Sequence, residues 1–365
     1  MHIGVDGSFW GGQERGVAVA TRRLWTSYLE RTPLQRVTIF APGVHASEMP
    51  NASLVPVGPL TPISRIAWQQ VILPALGREQ GIELLHCPCY TAPVALSCKF
   101  VVTVHDLIAW THPRLAGWRN AFHFRLLVGR GIRRARAVCV PSQFVRRSVI
   151  DYFGIPRGKV FVVPWGVDLE IAPTPRDIAS STIRQRFNVN EPFVLFCGCI
   201  EPKKNLQVAI RACAEAGLLL LVVGPPVRAS QSVLSEESRA GKSRWRYLGY
   251  VTPSDLSALN SAATALVFPS YTEGFGLPTL EAMSCRCPVI ASDAPALREV
   301  CGGAAIHVPH WDVSALAASL RAVSTDRALR DSLVERGIAQ ARHFNWANAV
   351  NSFSEALHYA EHSTS

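Results

Sequence analysis

At 365 residues, with 48% hydrophobic and 18% charged side chains, the chain has apolar material for two ordinary domains and excludes a disordered or fibrous protein. Its formal net charge of +10 admits an anionic partner: nucleic acid, anionic lipid or an acidic substrate. No apolar run reaches the roughly 18–20 residues that span a bilayer, and Met1–Trp10 reads as a first strand without the basic start of a leader, so a cytoplasmic protein is expected. Ten cysteines include three Cys-x-Cys pairs, at Cys87/Cys89, Cys197/Cys199 and Cys285/Cys287. None is a Cys-x-x-Cys with a matching second pair, so buried free thiols are expected rather than zinc or disulfides.

In chain order, His2–Asp6 is a short strand, followed by a loop with Gly7, Gly11, Gly12 and Gly16 and a helix over Val17–Glu30. A glycine loop after a first strand is where doubly wound folds hold ligands, but the spacing is not the dinucleotide fingerprint. Val37–Phe40, Leu54–Val57 and Leu84–His86 read as strands, and Ile66–Leu76 as a helix. Lys99–Leu107 is a buried strand that ends on His105 and Asp106, where the carboxyl end of a parallel strand presents side chains to ligands. Between Trp118 and Arg147 arginines interleave with Phe122, Phe124, Leu126 and Leu127, the pattern of a basic amphipathic surface, so peripheral contact with an anionic membrane is expected. No nucleic-acid motif accompanies that charge, and a nucleic-acid partner is not expected. Val138–Ser142 is a strand and Gln143–Phe153 a helix, and the segment Val160–Asp168 closes a first domain.

Residues 171–190, with Pro173 and Pro175, read as a linker between a first domain over 1–170 and a second over 191–345. The second restarts with the strand Phe193–Gly198 and the turn Cys199-Ile200-Glu201-Pro202-Lys203-Lys204-Asn205. A helix over Leu206–Ala216, a strand over Leu218–Gly224, a polar surface stretch over Val227–Ser243 and a strand ending at Tyr250 and Val251 come next. After a helix over Ser254–Ala262, the apolar run Ala265–Phe268 leads into Glu273-Gly274-Phe275-Gly276-Leu277 and a helix over Thr279–Cys285. Strand, glycine loop, helix and strand make a diphosphate seat: backbone N–H groups and the helix start face the anion. Glu273 in the loop is within reach of a sugar hydroxyl, and Glu281, assigned to the first helical turn, suits a ribose diol. The segments Val313–Val323, Asp326–His343 and Ala347–Glu361 read as helices, the last within a 346–365 segment expected to cross back to the first domain.

Glu273 and Glu281, with Gly-Phe-Gly-Leu-Pro-Thr-Leu between them, resemble the E-x7-E motif of retaining glycosyltransferases of family 4, group 1. The surrounding Phe268–Asp293 text is similar to that family throughout, as are Val104-His105-Asp106-Leu107, Val163–Asp168 and Glu201–Asn205. The resemblance implies an α/β GT-B fold of two doubly wound, Rossmann-like domains facing a cleft. Donor nucleotide is then expected on the C-terminal domain and acceptor mainly on the N-terminal one. It implies catalytic roles for His105, Glu273 and Lys204. It implies donor contacts from Gly12, Cys199, Lys203, Lys204, Tyr250, Val251, Glu273, the Gly274–Leu277 turn and Glu281. Two positions depart from the pattern: Gly16-Val17-Ala18-Val19 replaces Gly-Ile-Gly-Arg, and Cys199 stands where an arginine is common. With no Asp-x-Asp motif, no metal is expected, and cations and amides would take its place. No cofactor is expected beyond the sugar nucleotide itself. The Glu-Pro-Lys-Lys-Asn form resembles the bacterial mannosyltransferase branch, which implies GDP-mannose as donor, with a UDP-sugar as the alternative. The implied acceptor is a glycan or lipid-linked glycan of bacterial polysaccharide synthesis, reached at the inner face of the membrane. An epimerase or a non-catalytic sugar-nucleotide binder on the same fold stays open.

Overall fold

A computed structural model describes residues 1–10, 16–43, 49, 51–58, 60–116, 128–168, 170–226 and 244–363. The chain forms two compact units, Met1–Gly166 with Trp346–Ser365, and Val167–Asn345.

The first unit is built on a seven-stranded parallel sheet, β1 (His2–Asp6), β2 (Arg36–Ala41), β3 (Ser53–Pro56), β4 (Leu84–Cys87), β5 (Lys99–Thr103), β6 (Ala137–Val140) and β7 (Val160–Val162), ordered β3-β2-β1-β4-β5-β6-β7. Strands covered on both faces need near-continuous apolar sequence, and β1, β4 and β6 are buried at every residue. The helix Trp346–His362 buries Ala349, Val350, Phe353, Ala356, Leu357 and Ala360, a stripe at helical spacing, in the same cluster as Trp25, Leu29, Ile3 and Val5. The C-terminal segment is therefore part of this unit's core.

The second unit has a six-stranded parallel sheet, β8 (Phe193–Cys197), β9 (Leu219–Val223), β10 (Trp245–Gly249), β11 (Ala265–Phe268), β12 (Val289–Ser292) and β13 (Ala305–Val308), ordered β10-β9-β8-β11-β12-β13. Both sheets thus reverse strand order beside their first strand, as doubly wound dinucleotide-binding folds do.

Several expected boundaries shift. The proposed linker at 171–190 contains a helix, Arg176–Phe187, that buries Ala179 and Ile183 within the second unit. Two prolines ahead of it set where it starts, not that the stretch is unstructured. Residues 167–170 also belong to the second unit, where the Val167 N–H donates to the Phe344 carbonyl at 3.0 Å. The helix expected over Ile66–Leu76 spans Pro62–Glu79 with a π-helical turn at Trp68–Ile72. β5 stops at Thr103, so Val104–Leu107 continue beyond the strand. The expected polar stretch at 227–243, and 117–127 of the basic region, lie outside the described residues. All ten cysteines are free thiols.

Candidate active site

In the second unit the strand order reverses between β8 and β11, and ligands of open α/β sheets sit at the carboxyl ends of strands beside such a point. Those ends continue as Gly198–Asn205 and as Pro269–Leu277. Their meeting point is an ion pair: Lys204 Nζ lies 2.7 Å from Glu273 Oε1, with both side chains buried. The Lys204 ammonium also stands 4.5 Å from the centroid of the Phe268 ring, the last residue of β11. Burial pushes the Glu273 carboxyl up, but Lys204 and then Lys203 outweigh it and hold the group below its ordinary range. Glu273 is therefore an ionised carboxylate inside the protein rather than a loose loop acid.

Asn205 fixes this geometry. It sits in the left-handed region at φ 58, and its Nδ2 donates to the carbonyls of Pro269 (3.2 Å) and His310 (2.7 Å). The Tyr271 N–H donates to the Lys203 carbonyl at 2.9 Å, which joins the two turns a second time. Lys203 turns its ammonium toward Glu201 Oε1 at 3.5 Å.

Behind Glu273 the backbone enters the helix Leu277–Ser284 through Gly276, at φ 106. A Cβ there would overlap the Leu297 side chain, so both the dihedral and the space require glycine. Thr279 Oγ1 donates to the Gly276 carbonyl at 2.7 Å. First-turn amides of a helix have no intrahelical acceptor, so this entrance is suited to an anion. The helix begins two residues earlier than expected, at Leu277, because Pro278 occupies its second position. Glu281 consequently lies on the second turn, not the first.

Glu281 is half-buried, and burial, then the neighbouring Asp168 carboxylate, push its carboxyl from an ordinary 4.5 up to about 7. A carboxyl whose folded-state value is raised stabilises the fold below its ordinary range, and that contribution fades as pH climbs to about 7. Glu281→Gln is expected to raise the melting temperature at pH 8, by about 1–2 kcal/mol of stability, and to change little at pH 5. If Glu281 accepts hydrogen bonds from a ribose diol, nucleotide affinity of the native protein rises with pH through 7 and that of Glu281→Gln stays flat. Paired thermal melts and titrations at pH 5, 7 and 8 check both trends. An unchanged melting temperature at pH 8 would remove the buried-charge argument.

The ends of β8, β9 and β10 form a second set of close approaches. Gly198 (φ 136) and Gly224 (φ 127) face one another so closely that a Cβ on Gly224 would overlap the Gly198 carbonyl. The Gly224 N–H donates to the Gly249 carbonyl at 2.9 Å, and the Tyr247 hydroxyl donates to the Gly224 carbonyl, also at 2.9 Å. Tyr250 and Val251 follow directly, with Tyr250 exposed. Cys199 is half-buried beside this junction, and the Ile200 N–H that follows donates to the Pro225 carbonyl at 2.9 Å. Sequence reading missed Gly224 and Asn205. A glycine that ends a strongly apolar strand was the available signal for the first, and the closing position of the Glu201–Asn205 motif for the second.

The first unit holds His105, 3% exposed just beyond β5. Its Nε2 is 2.7 Å from the Pro88 carbonyl, which only accepts, so Nε2 carries the proton. Tyr90 meets the ring edge-on at 5.3 Å and Trp165 at 5.4 Å, which fixes its plane. Gly12 lies outside the described residues. A deeper histidine, His86, is a core group: Trp25 Nε1 donates to its Nδ1 at 2.9 Å, and its Nε2 therefore donates to Thr103 Oγ1 at 2.8 Å. Burial and then His105 push its value down to about 3, so it stays neutral. Among the described residues the one grouping able to hold a metal ion is His358, Glu361 and His362, on the C-terminal helix of the first unit.

Two family models match successive parts of the chain. Residues 10–171 match Glycosyltransferase Family 4, and residues 179–340 match Glycosyl transferases group 1. O-antigen chain mannosyltransferase B of Escherichia coli is 28% identical over 280 residues, covering 75% of this chain and 73% of that protein. The serotype-specific mannosyltransferase WbdA of Escherichia coli is 30% identical over 291 residues, 74% of this chain and 36% of that protein, so the chain spans about a third of WbdA's length. In structure, Anabaena Alr3699/HepE in complex with UDP-glucose superposes with a TM-score of 0.79 at 20% identity, over 98% of this chain and 99% of that one. The protein is a glycosyltransferase with two Rossmann-like domains of the GT-B class. The chain carries a Glycosyltransferase Family 4 domain followed by a Glycosyl transferases group 1 domain.

Proposed function

We propose that this enzyme moves mannose from GDP-mannose to a glycan or lipid-linked glycan of a bacterial surface polysaccharide, with retention at the anomeric carbon and without a metal ion or other cofactor. The observation that carries the reading is the buried Lys204–Glu273 pair at the strand-order reversal, next to the Gly276 helix entrance. A departing nucleoside diphosphate gains charge as the glycosidic bond breaks. A fixed ammonium and helix-start amides stabilise that charge best when they are already in place. Glu273, ionised and held by Lys204, suits a hydroxyl of the transferred sugar, and Glu281 suits the ribose diol. His105 is assigned to the reacting sugar, and Tyr250 and Val251 to the nucleobase. The mannosyl donor and polysaccharide acceptor are supported by the two mannosyltransferase relatives, both of O-antigen or serotype-specific type by name. The epimerase and binding-protein readings are not favoured, because those relatives are named as transferases. No described helix is long and apolar enough to cross a membrane. Work on a lipid-linked acceptor would bring the protein to the inner membrane face.

Thermal melts with GDP, UDP, ADP and dTDP, each with and without divalent metal, test this first. A metal-independent shift with GDP alone is expected. His105→Ala is expected to keep that shift while turnover of GDP-mannose falls about 10²-fold or more, the usual size for one lost transition-state contact. A shift with UDP alone would replace the donor, and no shift with any nucleotide would overturn the diphosphate seat.

A further inference from the structure

The first unit has a cavity of about 610 Å³ at the edge of the sheet opposite the strand ends that lead to His105. It is lined by Lys99, which opens β5, by Arg136, just ahead of β6, and by Lys159, just ahead of β7, together with Arg133, Arg134 and Ser363. Because all the strands are parallel, their starts gather on this one edge. Among the described residues, no carboxylate forms an ion pair with any of these five cations. Four of them are tethered to backbone carbonyls instead: Lys159 Nζ to Arg133 at 2.6 Å, Arg133 Nη1 to Gly129 at 3.5 Å, Lys99 Nζ to Glu361 and Arg134 Nη1 to Val94. The Ser363 hydroxyl oxygen is buried with no hydrogen-bond partner among the described residues. Burial, then the Arg136 guanidinium, pull the Lys159 ammonium below its ordinary value, the cost of crowding cations without a counter-charge.

Solvated surface arginines need none of this. They spread apart or pair with carboxylates, whereas Lys99, Lys159 and the exposed Arg133 and Arg134 are held by main-chain acceptors around a hollow. Cations at the end of a helix satisfy its last carbonyls, which accounts for the Lys159 and Arg133 bonds. It also accounts for Lys99, whose acceptor Glu361 lies in the last turn of the helix Trp346–His362, but not for Arg134, bonded to the Val94 carbonyl, nor for the placement of Arg136 at a strand start. We propose that this cavity is a binding site for phosphate groups, separate from the diphosphate seat of the second unit. Phosphate oxygens accept several hydrogen bonds each, which matches guanidinium forks and ammonium groups converging from three directions, with the serine hydroxyl as a further donor. The volume exceeds that of a single phosphate, so the ligand is a diphosphate or a phosphodiester carrying a further group. Its source is a soluble phosphate compound or the headgroup of an anionic lipid.

Calorimetric titration of inorganic pyrophosphate, and sedimentation with phosphatidylglycerol or pure phosphatidylcholine vesicles, separate these sources. The proteins are the wild type, Lys204→Met, Arg133→Ser/Arg136→Ser and Lys159→Met. A pyrophosphate event kept in Lys204→Met, and weakened about tenfold or more in the other two variants and by added salt, supports the site with a soluble ligand. Co-sedimentation with phosphatidylglycerol vesicles alone, lost in the same two variants, supports it with a lipid ligand. Melting temperatures and the GDP response of those variants are expected to match the wild type. Unchanged binding of both probes in the variants, or binding of neither by the wild type, overturns the proposal.

Discussion

Lys204→Met is expected to stop sugar transfer and to cost about 3–5 kcal/mol of stability, the size seen when one member of a buried ion pair is removed. The substitution keeps most of the side-chain volume over Phe268 but leaves Glu273 buried without its closest counter-charge. In the wild type the Glu273 carboxyl is held below its ordinary value of 4.5. It therefore stabilises the fold above that range and loses the contribution as pH falls through its lowered value. In the variant the burial effect is no longer outweighed by Lys204. The carboxyl rises, and stability is expected to be lost as pH rises instead. Melts from pH 4 to pH 8 read this reversal directly. Lys204→Met/Glu273→Gln removes both charges together and is expected to recover most of the stability without recovering transfer. A double variant that transfers sugar at the wild-type rate would reduce the pair to a structural role.

Gly224→Ala is expected to be nearly as damaging, although it touches no charged group. The new methyl would meet the Gly198 carbonyl, a backbone atom that cannot swing aside, and alanine would be forced to φ 127. Strain of that backbone region together with the overlap is expected to cost about 3–5 kcal/mol. That corresponds to a fall of roughly 2–4 °C in melting temperature for each kcal/mol. Nucleotide affinity is expected to fall with it, because Gly198 leads into the Lys204 turn and Gly224 is tied to Gly249 beside Tyr250. Gly217→Ala is the comparison: φ there is 72, but a Cβ would enter open space. Its cost is expected to be about 1 kcal/mol, that of the left-handed conformation alone. Equal losses in the two variants would show that the close approach of β8 and β9 is not what Gly224 protects.

The strand-loop-helix order from Ala265 to Ser292 was legible because each step has a local cause. The apolar run is a buried strand, two glycines turn the chain, and a proline opens the helix. Pro278 misled only on where that helix begins, which placed Glu281 one turn too early. The 171–190 segment misled more. Its prolines and polar residues look like a linker, but Ala179 and Ile183 find a partner surface in the helix Pro253–Ala262, and tertiary burial overrides weak local preference. The two positions departing from the family pattern divide as well. Cys199 occupies a half-buried place beside the β9–β10 junction, whereas Gly16-Val17-Ala18-Val19 open the helix Gly16–Arg31, with Ala18 buried.

By itself the sequence determined two α/β halves and the strand, glycine loop and helix around Gly276, and singled out Lys204, Glu273, Glu281 and His105 as candidates, because strand hydrophobicity, glycine turns and motif spacing are local properties of a chain. The tertiary structure alone decided that Glu273 is a buried carboxylate paired with Lys204, 69 positions earlier, and that Asn205 joins loops from three strands. It also decided that Gly224 must be glycine because of Gly198, and that five cations from separate strand starts and a helix end share one hollow. Each of these depends on which strand ends become neighbours. In a parallel sheet that is fixed by crossover connections and strand order, which no short window of residues encodes.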